Sequence, residues 1–300
     1  GVPELLRYQQ ISRLLNLAPR RTPQARLAGT YLTRHKGRGM EFDEARHYQP
    51  GDDIRAIDWR VTARTGKTHT KVYREERERP VFIMCDLGHS MRFGTQLLLK
   101  SVQSAHMASL ISWAAAARGD KVGALIFADD AHRECKPLAR KRAVLTICHE
   151  LVSMHKRTPS PPGGSKEMHF ADACARLRRL VRPGSLVYMI SDFNAMSDLA
   201  NQHLSYLGRH CEVHAVEVSD PMDQALPDVS GLHPVSVTDG DNRQTWLLGD
   251  KKQQAEYRQW REGHYSSVNH QLDKAGIAVH PISAGTVLDD QILRLQGRLS

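Results

Sequence analysis

Three hundred residues with 40% hydrophobic content can bury one large core, or a core plus a small satellite, and 25% charged residues is ordinary for a folded chain. No stretch approaches the roughly 18 consecutive apolar residues of a membrane-crossing helix, and no signal-peptide pattern opens the chain. The formal net charge of +9 sits mostly in residues 1–80, but aromatics are only 6% of the chain and do not interleave with the basic residues, so nucleic-acid binding is not expected.

Residues 2–17 predict an amphipathic helix, with Leu5, Ile11, Leu14 and Leu15 near one face. Pro19 and Pro23 interrupt it, and Gly29, Gly37 and Gly39 mark loops. From Glu41 to Arg79 the pattern is short, polar and turn-rich, with a turn at Pro50-Gly51-Asp52-Asp53 and a strand over Thr68–Tyr73. Residues 1–79 therefore read as a helix followed by a small irregular or β-containing segment, and 80–300 as the main domain.

At Pro80 the character changes. Val81–Cys85 is a compact apolar run of the kind that forms a strand buried on both faces, and it ends in Asp86. A helix is predicted over 95–118, a buried strand over 122–127, an edge strand over 131–136 and a helix over 140–154. Thr158 to Gly164 is a helix-free loop. A helix over 170–180 then leads to the buried strand Leu186–Ile190, which ends in Ser191-Asp192. A helix over 197–208, a strand over 212–218, a hairpin insertion within 234–248, a helix over 253–274, a strand over 277–282 and a helix over 287–299 complete the pattern. Strands alternating with helices at this spacing predict an α/β fold, doubly wound, with a mostly parallel sheet covered on both faces.

The five cysteines are widely spaced, form no C-x-x-C pair and lie mostly in apolar segments. They read as reduced core thiols, which points to a cytoplasmic protein without structural zinc.

In an open α/β sheet, ligands gather beyond the carboxyl ends of the strands where the winding reverses. If the strands ending in Asp86 and Asp192 are neighbours, their carboxylates meet there. With Ser90 they are the hard oxygen ligands that Mg2+ or another divalent cation takes. Each aspartate can equally cap a turn or the next helix.

The segment Asp86-Leu87-Gly88-His89-Ser90-Met91 resembles the D-x-S-x-S element of the metal-ion-dependent adhesion site of von Willebrand factor A domains, and Ser191-Asp192 resembles that fold's later aspartate-bearing strand end. Upstream, the run Glu41 to Trp59, then Ala63 to Lys67 and Glu75 to Pro80, closely resembles the signature of the domain-of-unknown-function 58 family. That resemblance implies a von Willebrand factor A-like domain working as a non-enzymatic adaptor for a MoxR-type AAA+ ATPase and a client protein. Asp86, Ser90 and Asp192 would be the metal ligands, and His89, Asp192 and Asn194 would meet the partner. The chain departs from the pattern where Gly88 replaces the first serine, and where Met168 or His169 occupies the position of the expected threonine, with Ser165 the nearest hydroxyl.

Other chemistry fits less well. Thr65-Gly66-Lys67-Thr68 ends like a phosphate-binding loop, but Val61 holds the place of its first glycine, so a polar turn is expected. His149-Glu150 lacks the second histidine of a zinc-protease helix, since Ser153 stands there. Gly88-His89-Ser90 lacks the glycine of a nucleophile elbow at Arg92. His89 reads as a surface-loop residue rather than a general base. Asp52, Asp53, Arg55, Asp58 and Arg64 suit either an internal salt-bridge network or a partner surface, and Trp59 is expected to anchor its segment by packing. The rival functions are a metal-dependent phosphoester hydrolase at the same crevice and a basic nucleic-acid binder.

Overall fold

A computed structural model describes residues 1–17, 32–33, 40–49, 52, 54–75, 79–157, 166–238 and 243–292. The predicted loop over 158–164, Ser165 and the end of the last predicted helix lie outside them. The chain divides into two compact units, one made of Gly1–Pro19 and Arg79–Ser300, the other of Arg20–Glu78.

The larger unit opens with two short helices, α1 (Val2–Leu6) and α2 (Tyr8–Ile11), followed by one 3-10 turn at Ser12–Leu14. The expected single helix is broken here, and the segment belongs with the main domain rather than with residues 20–78. The reason is packing: Leu5, Tyr8, Leu15 and Leu17 are buried in the main core, and the Ser109 hydroxyl donates to the Leu5 carbonyl at 2.7 Å.

In the smaller unit, β1 (Leu32–Thr33), β2 (Met40–His47) and β3 (His69–Glu75) form an antiparallel sheet in the order β1-β3-β2. Helix α3 (Trp59–Thr65) begins where the Asp58 carboxylate accepts from the Arg60 and Val61 amides, and it stops at Gly66 in the left-handed conformation. The loop resembling a phosphate cradle is therefore a helix C-cap leading into β3. Asp52 pairs with Arg46 at 2.8 Å, so part of the signature's charge is neutralised within this unit. Trp59 does not anchor by packing as expected. The Asp58 cap fixes it as the first residue of α3, and it is 67% exposed.

The remaining elements build the domain that carries the site. They are β4 (Val81–Asp86), α4 (Lys100–Arg118), β5 (Val122–Ala128), β6 (Ala131–Leu138), α5 (Arg140–Lys156), α6 (Lys166–Leu180), β7 (Leu186–Ser191), α7 (Asp198–His210), β8 (Glu212–Ser219), α8 (Pro221–Gln224), β9 (His233–Thr238), β10 (Arg243–Leu248), α9 (Lys251–Lys274) and β11 (Ala278–Ser283). Residues 288–292 are helical. Strands β9 and β10 pair as the expected hairpin.

The six-stranded sheet has the order β11-β8-β7-β4-β5-β6 and is parallel except for edge strand β6. Strand β4 is buried at every position because its alternate side chains feed two cores. Val81, Ile83 and Cys85 join Met107, Leu110, Ile111 and Leu151 on one face. Phe82 and Met84 join Leu177, Leu204, Leu207 and Leu272 on the other. This is the predicted doubly wound α/β fold. From β4 the chain winds outward to β5 and β6, then returns to β7 on β4's other side, so the switch point lies between β4 and β7.

On the second face α7 meets the end of α9 so closely that a Cβ at Gly208 would run into the Ala275 carbonyl oxygen. Because backbone cannot swing away, Gly208→Ala is expected to cost about 1–3 kcal/mol, read as a lower denaturant midpoint. An unchanged midpoint would show that the helices separate freely.

Candidate functional site

Asp86 ends β4 and Asp192 directly follows β7, so the switch point brings together the two aspartates singled out in the sequence. Both are buried, at 6% and 4% exposure, and the Asp192 charge raises the cost of ionising Asp86. The Ser191 hydroxyl donates to Asp86 Oδ2 at 2.7 Å and the Gly88 amide to Oδ1 at 2.9 Å. Burial, then the neighbouring Asp192 charge, pushes the Asp86 carboxyl up to about 7 despite those donors.

Asp192 behaves oppositely. Burial alone would raise its pKa, yet Lys100 holds it below the ordinary carboxylate range, aided by the Asn194 amide and the Ser90 hydroxyl. The Lys100 ammonium lies 2.9 Å from Asp192 Oδ2 and 2.9 Å from Asp223 Oδ2, and the Asn194 amide donates to Asp192 Oδ1 at 3.1 Å. Lys100 is 2% exposed; burial alone would lower its pKa, but the two carboxylates hold it above the usual lysine value.

Around this pair the other charges interlock. Arg261 of α9 donates from Nε to the Asp223 carbonyl at 2.6 Å and from Nη1 to Asn194 Oδ1 at 2.8 Å. Asp220, which follows β8, accepts from the Thr95 amide at 2.8 Å and so fixes the loop before α4. Glu217 of β8 is buried beside Arg261, and desolvation pushes its carboxyl up to about 7. Phe193, between Asp192 and Asn194, is fully buried at φ 52°, a left-handed backbone that costs a non-glycine residue of order 1 kcal/mol or more. Its ring meets Phe170 edge-on at 6.1 Å, which holds that conformation in place.

Asp86, Ser90, Asp192 and Asn194 thus lie together at the switch point. His89 is exposed at the rim, its amide donating to Asp129 Oδ2 at 2.7 Å. Sequence reasoning misses Lys100, Asp220, Asp223, Glu217 and Arg261. A signal is present for Asp220, because Ser219-Asp220 repeats at the end of β8 the Ser191-Asp192 ending of β7.

A divalent cation fits this donor set poorly. Each Asp86 oxygen already accepts a hydrogen bond, and one Asp192 oxygen is taken by an ammonium. A Cβ at residue 88 would lie 2.9 Å from Asp129 Oδ1 and 3.1 Å from Asp86 Oδ1, so the loop has closed over the space of the missing serine ligand. Residues 168 and 169 supply no hydroxyl, and among the described residues no three of His, Cys, Asp and Glu converge as metal ligands.

Residues 44–267 match the family model described as protein of unknown function DUF58, which is well over half of the chain. The chain belongs to the DUF58 family. Relatives of this DUF58 chain include the uncharacterized proteins Rv1480 of Mycobacterium tuberculosis and Mb1516 of Mycobacterium bovis. Each is 33% identical over 220 residues, covering 73% of this chain and 68% of the relative. Among solved structures it is similar to the conserved hypothetical protein BatB from Bacteroides thetaiotaomicron, with TM-score 0.43, 15% identity and coverage of 74% of this chain and 98% of that one. It is also similar to a von Willebrand factor type A protein from Catenulispora acidiphila, with TM-score 0.35, 10% identity and coverage of 76% and 44%. Among the described residues no helix is long and apolar enough to cross a membrane.

Proposed function

We propose that this DUF58 chain is a non-enzymatic adaptor that grips a MoxR-type AAA+ ATPase, and with it a client protein, through the loops beyond β4 and β7. The observation that carries the reading is the state of the switch-point carboxylates: they are buried and saturated by internal donors, so they rigidify the rim. Asp192 is held ionised by its salt bridge and both Asp86 oxygens already accept internal hydrogen bonds, so neither has an oxygen left over for a substrate, whereas a preorganised rim suits binding. His89 is exposed there and Ser90 and Asn194 are half-buried, so these three would meet the partner. The five free cysteines, four of them buried, suit the reducing cytoplasm.

Pull-down with a MoxR-type AAA+ ATPase in the presence of ATP tests this reading. His89→Glu is expected to weaken capture by roughly tenfold, as a charge placed in a contact patch does. Lys274→Glu, at the far end of α9, is expected to leave capture unchanged. No capture by the wild type would sink the adaptor reading, and turnover of a phosphoester panel would sink its non-enzymatic part.

A further inference from the structure

The family likeness implies a divalent cation between Asp86 and Asp192, and the geometry there disagrees with it. Lys100 is the reason. It is the first residue of a 19-residue helix, where the helix dipole disfavours a cation, and it is almost completely buried, where an unpaired ammonium is costly. Neither position suits a lysine unless something compensates, and here two carboxylates do, at 2.9 Å each. The ring of Phe93 covers the ammonium from 5.8 Å, a cation–π distance. The remaining Asp192 oxygen is held by the Asn194 amide, and the nearby Ser90 hydroxyl, the other expected metal ligand, helps keep Asp192 ionised. Asp86 has both oxygens engaged by the Gly88 amide and the Ser191 hydroxyl.

We propose that Lys100 is the resident cation of this site: its tethered ammonium takes the electrostatic place of a metal ion, and the site works without one. A single covalently attached positive charge then binds Asp192 to Asp223 and joins the loop after β7 to the turn after β8. It also explains the glycine at residue 88. With no ion to coordinate, the first hydroxyl of the D-x-S-x-S pattern has no ligand role, and the loop closes onto Asp129 and Asp86. The inference is independent of the adaptor reading, because metal indifference is measured on the chain alone.

The full chain is melted in EDTA and then in about 10 mM MgCl2, MnCl2 or CaCl2, with calorimetric titration of the same ions. For the wild type the midpoint is expected to move by less than ~1 °C, with no saturable heat, since a ligand far above its dissociation constant shifts the midpoint by more. Removing the ammonium frees two carboxylates, so Lys100→Met is expected to melt lower in EDTA and to regain several degrees in Mg2+ or Mn2+. A wild-type midpoint that rises by ~3 °C or more in Mg2+ and no longer rises in Asp192→Asn would overturn the proposal. If Lys100→Met does not fold, a Mn2+ anomalous-scattering peak between Asp86 and Asp192 in wild-type crystals overturns it, and the absence of such a peak with the lysine ammonium seated between Asp192 and Asp223 supports it.

Discussion

Lys100→Met is expected to cost the folded chain about 3–5 kcal/mol at neutral pH, the size of effect seen when one partner of a buried ion pair is removed and the other charge is left uncompensated. Here two carboxylates are stranded, Asp192 at 4% exposure and Asp223 within hydrogen-bond reach of the same ammonium. The pH dependence separates this from a packing defect. Asp192 is held below its unfolded value of 3.8 and Lys100 above its unfolded value of 10.5. The carboxylate's contribution is therefore present above about pH 4 and lost as pH falls through its folded pKa. The lysine's contribution is present below its unfolded value and lost as pH rises through its own folded value. The gap between wild type and variant is expected to be full between those limits and to narrow in acid. A gap of equal size at about pH 3 and pH 7, from denaturant titrations, would show that lost packing rather than charge is responsible. The combination Lys100→Met, Asp192→Asn, Asp223→Asn is expected to recover much of the loss, because no buried charge is then left alone.

That lysine also marks where sequence reading stops. The apolar runs at 81–85 and 186–190 announce strands buried on both faces, and the aspartates that close them announce the switch point, because both signals are local. Lys100 gives no such signal. Preceded by Leu97-Leu98-Leu99 at the head of a helix, it reads as an ordinary surface charge, and its partners Asp192 and Asp223 are 92 and 123 residues away. Helix α4 starts later than composition predicts for a related reason. Residues 95–99 suit a helix by composition, but the Leu98 amide bonds to the Ala284 carbonyl after β11, and that tertiary bond keeps the segment out of the helix. Likewise the first seventeen residues carry an apolar stripe, but nothing local shows that α4 and α5 bury it. Periodicity reports which face is apolar, not which element covers it.

Glu217 gives the second large expectation. Desolvation raises its folded pKa to about 7 from a reference of 4.5, with Arg261 and Tyr265 of α9 opposing that shift and Asp192 and Asp223 adding to it. Between those two values the folded chain binds more protons than the unfolded chain, so this group makes stability fall as pH rises from about 4.5 to 7. Above about pH 7 the charged carboxylate remains as a burden, and one of its oxygens is buried without a hydrogen-bond partner. Glu217→Gln removes the ionisation while keeping the shape. It is expected to stabilise the chain by about 2 kcal/mol at about pH 8 and to change little near pH 4.5, since a tenfold change in proton affinity on folding is worth ~1.4 kcal/mol. Asp86 titrates in the same range with the same sign, so the wild-type curve alone does not separate the two groups; the difference between wild type and Glu217→Gln does. Melting midpoints from about pH 4.5 to 8.5 that stay parallel for the two proteins would mean that Glu217 is ionised throughout, with Arg261 as its true counter-charge. The same result would turn the cluster from an acid-loaded site into a fully paired one, and Arg261→Met would then be the variant that loses stability at neutral pH.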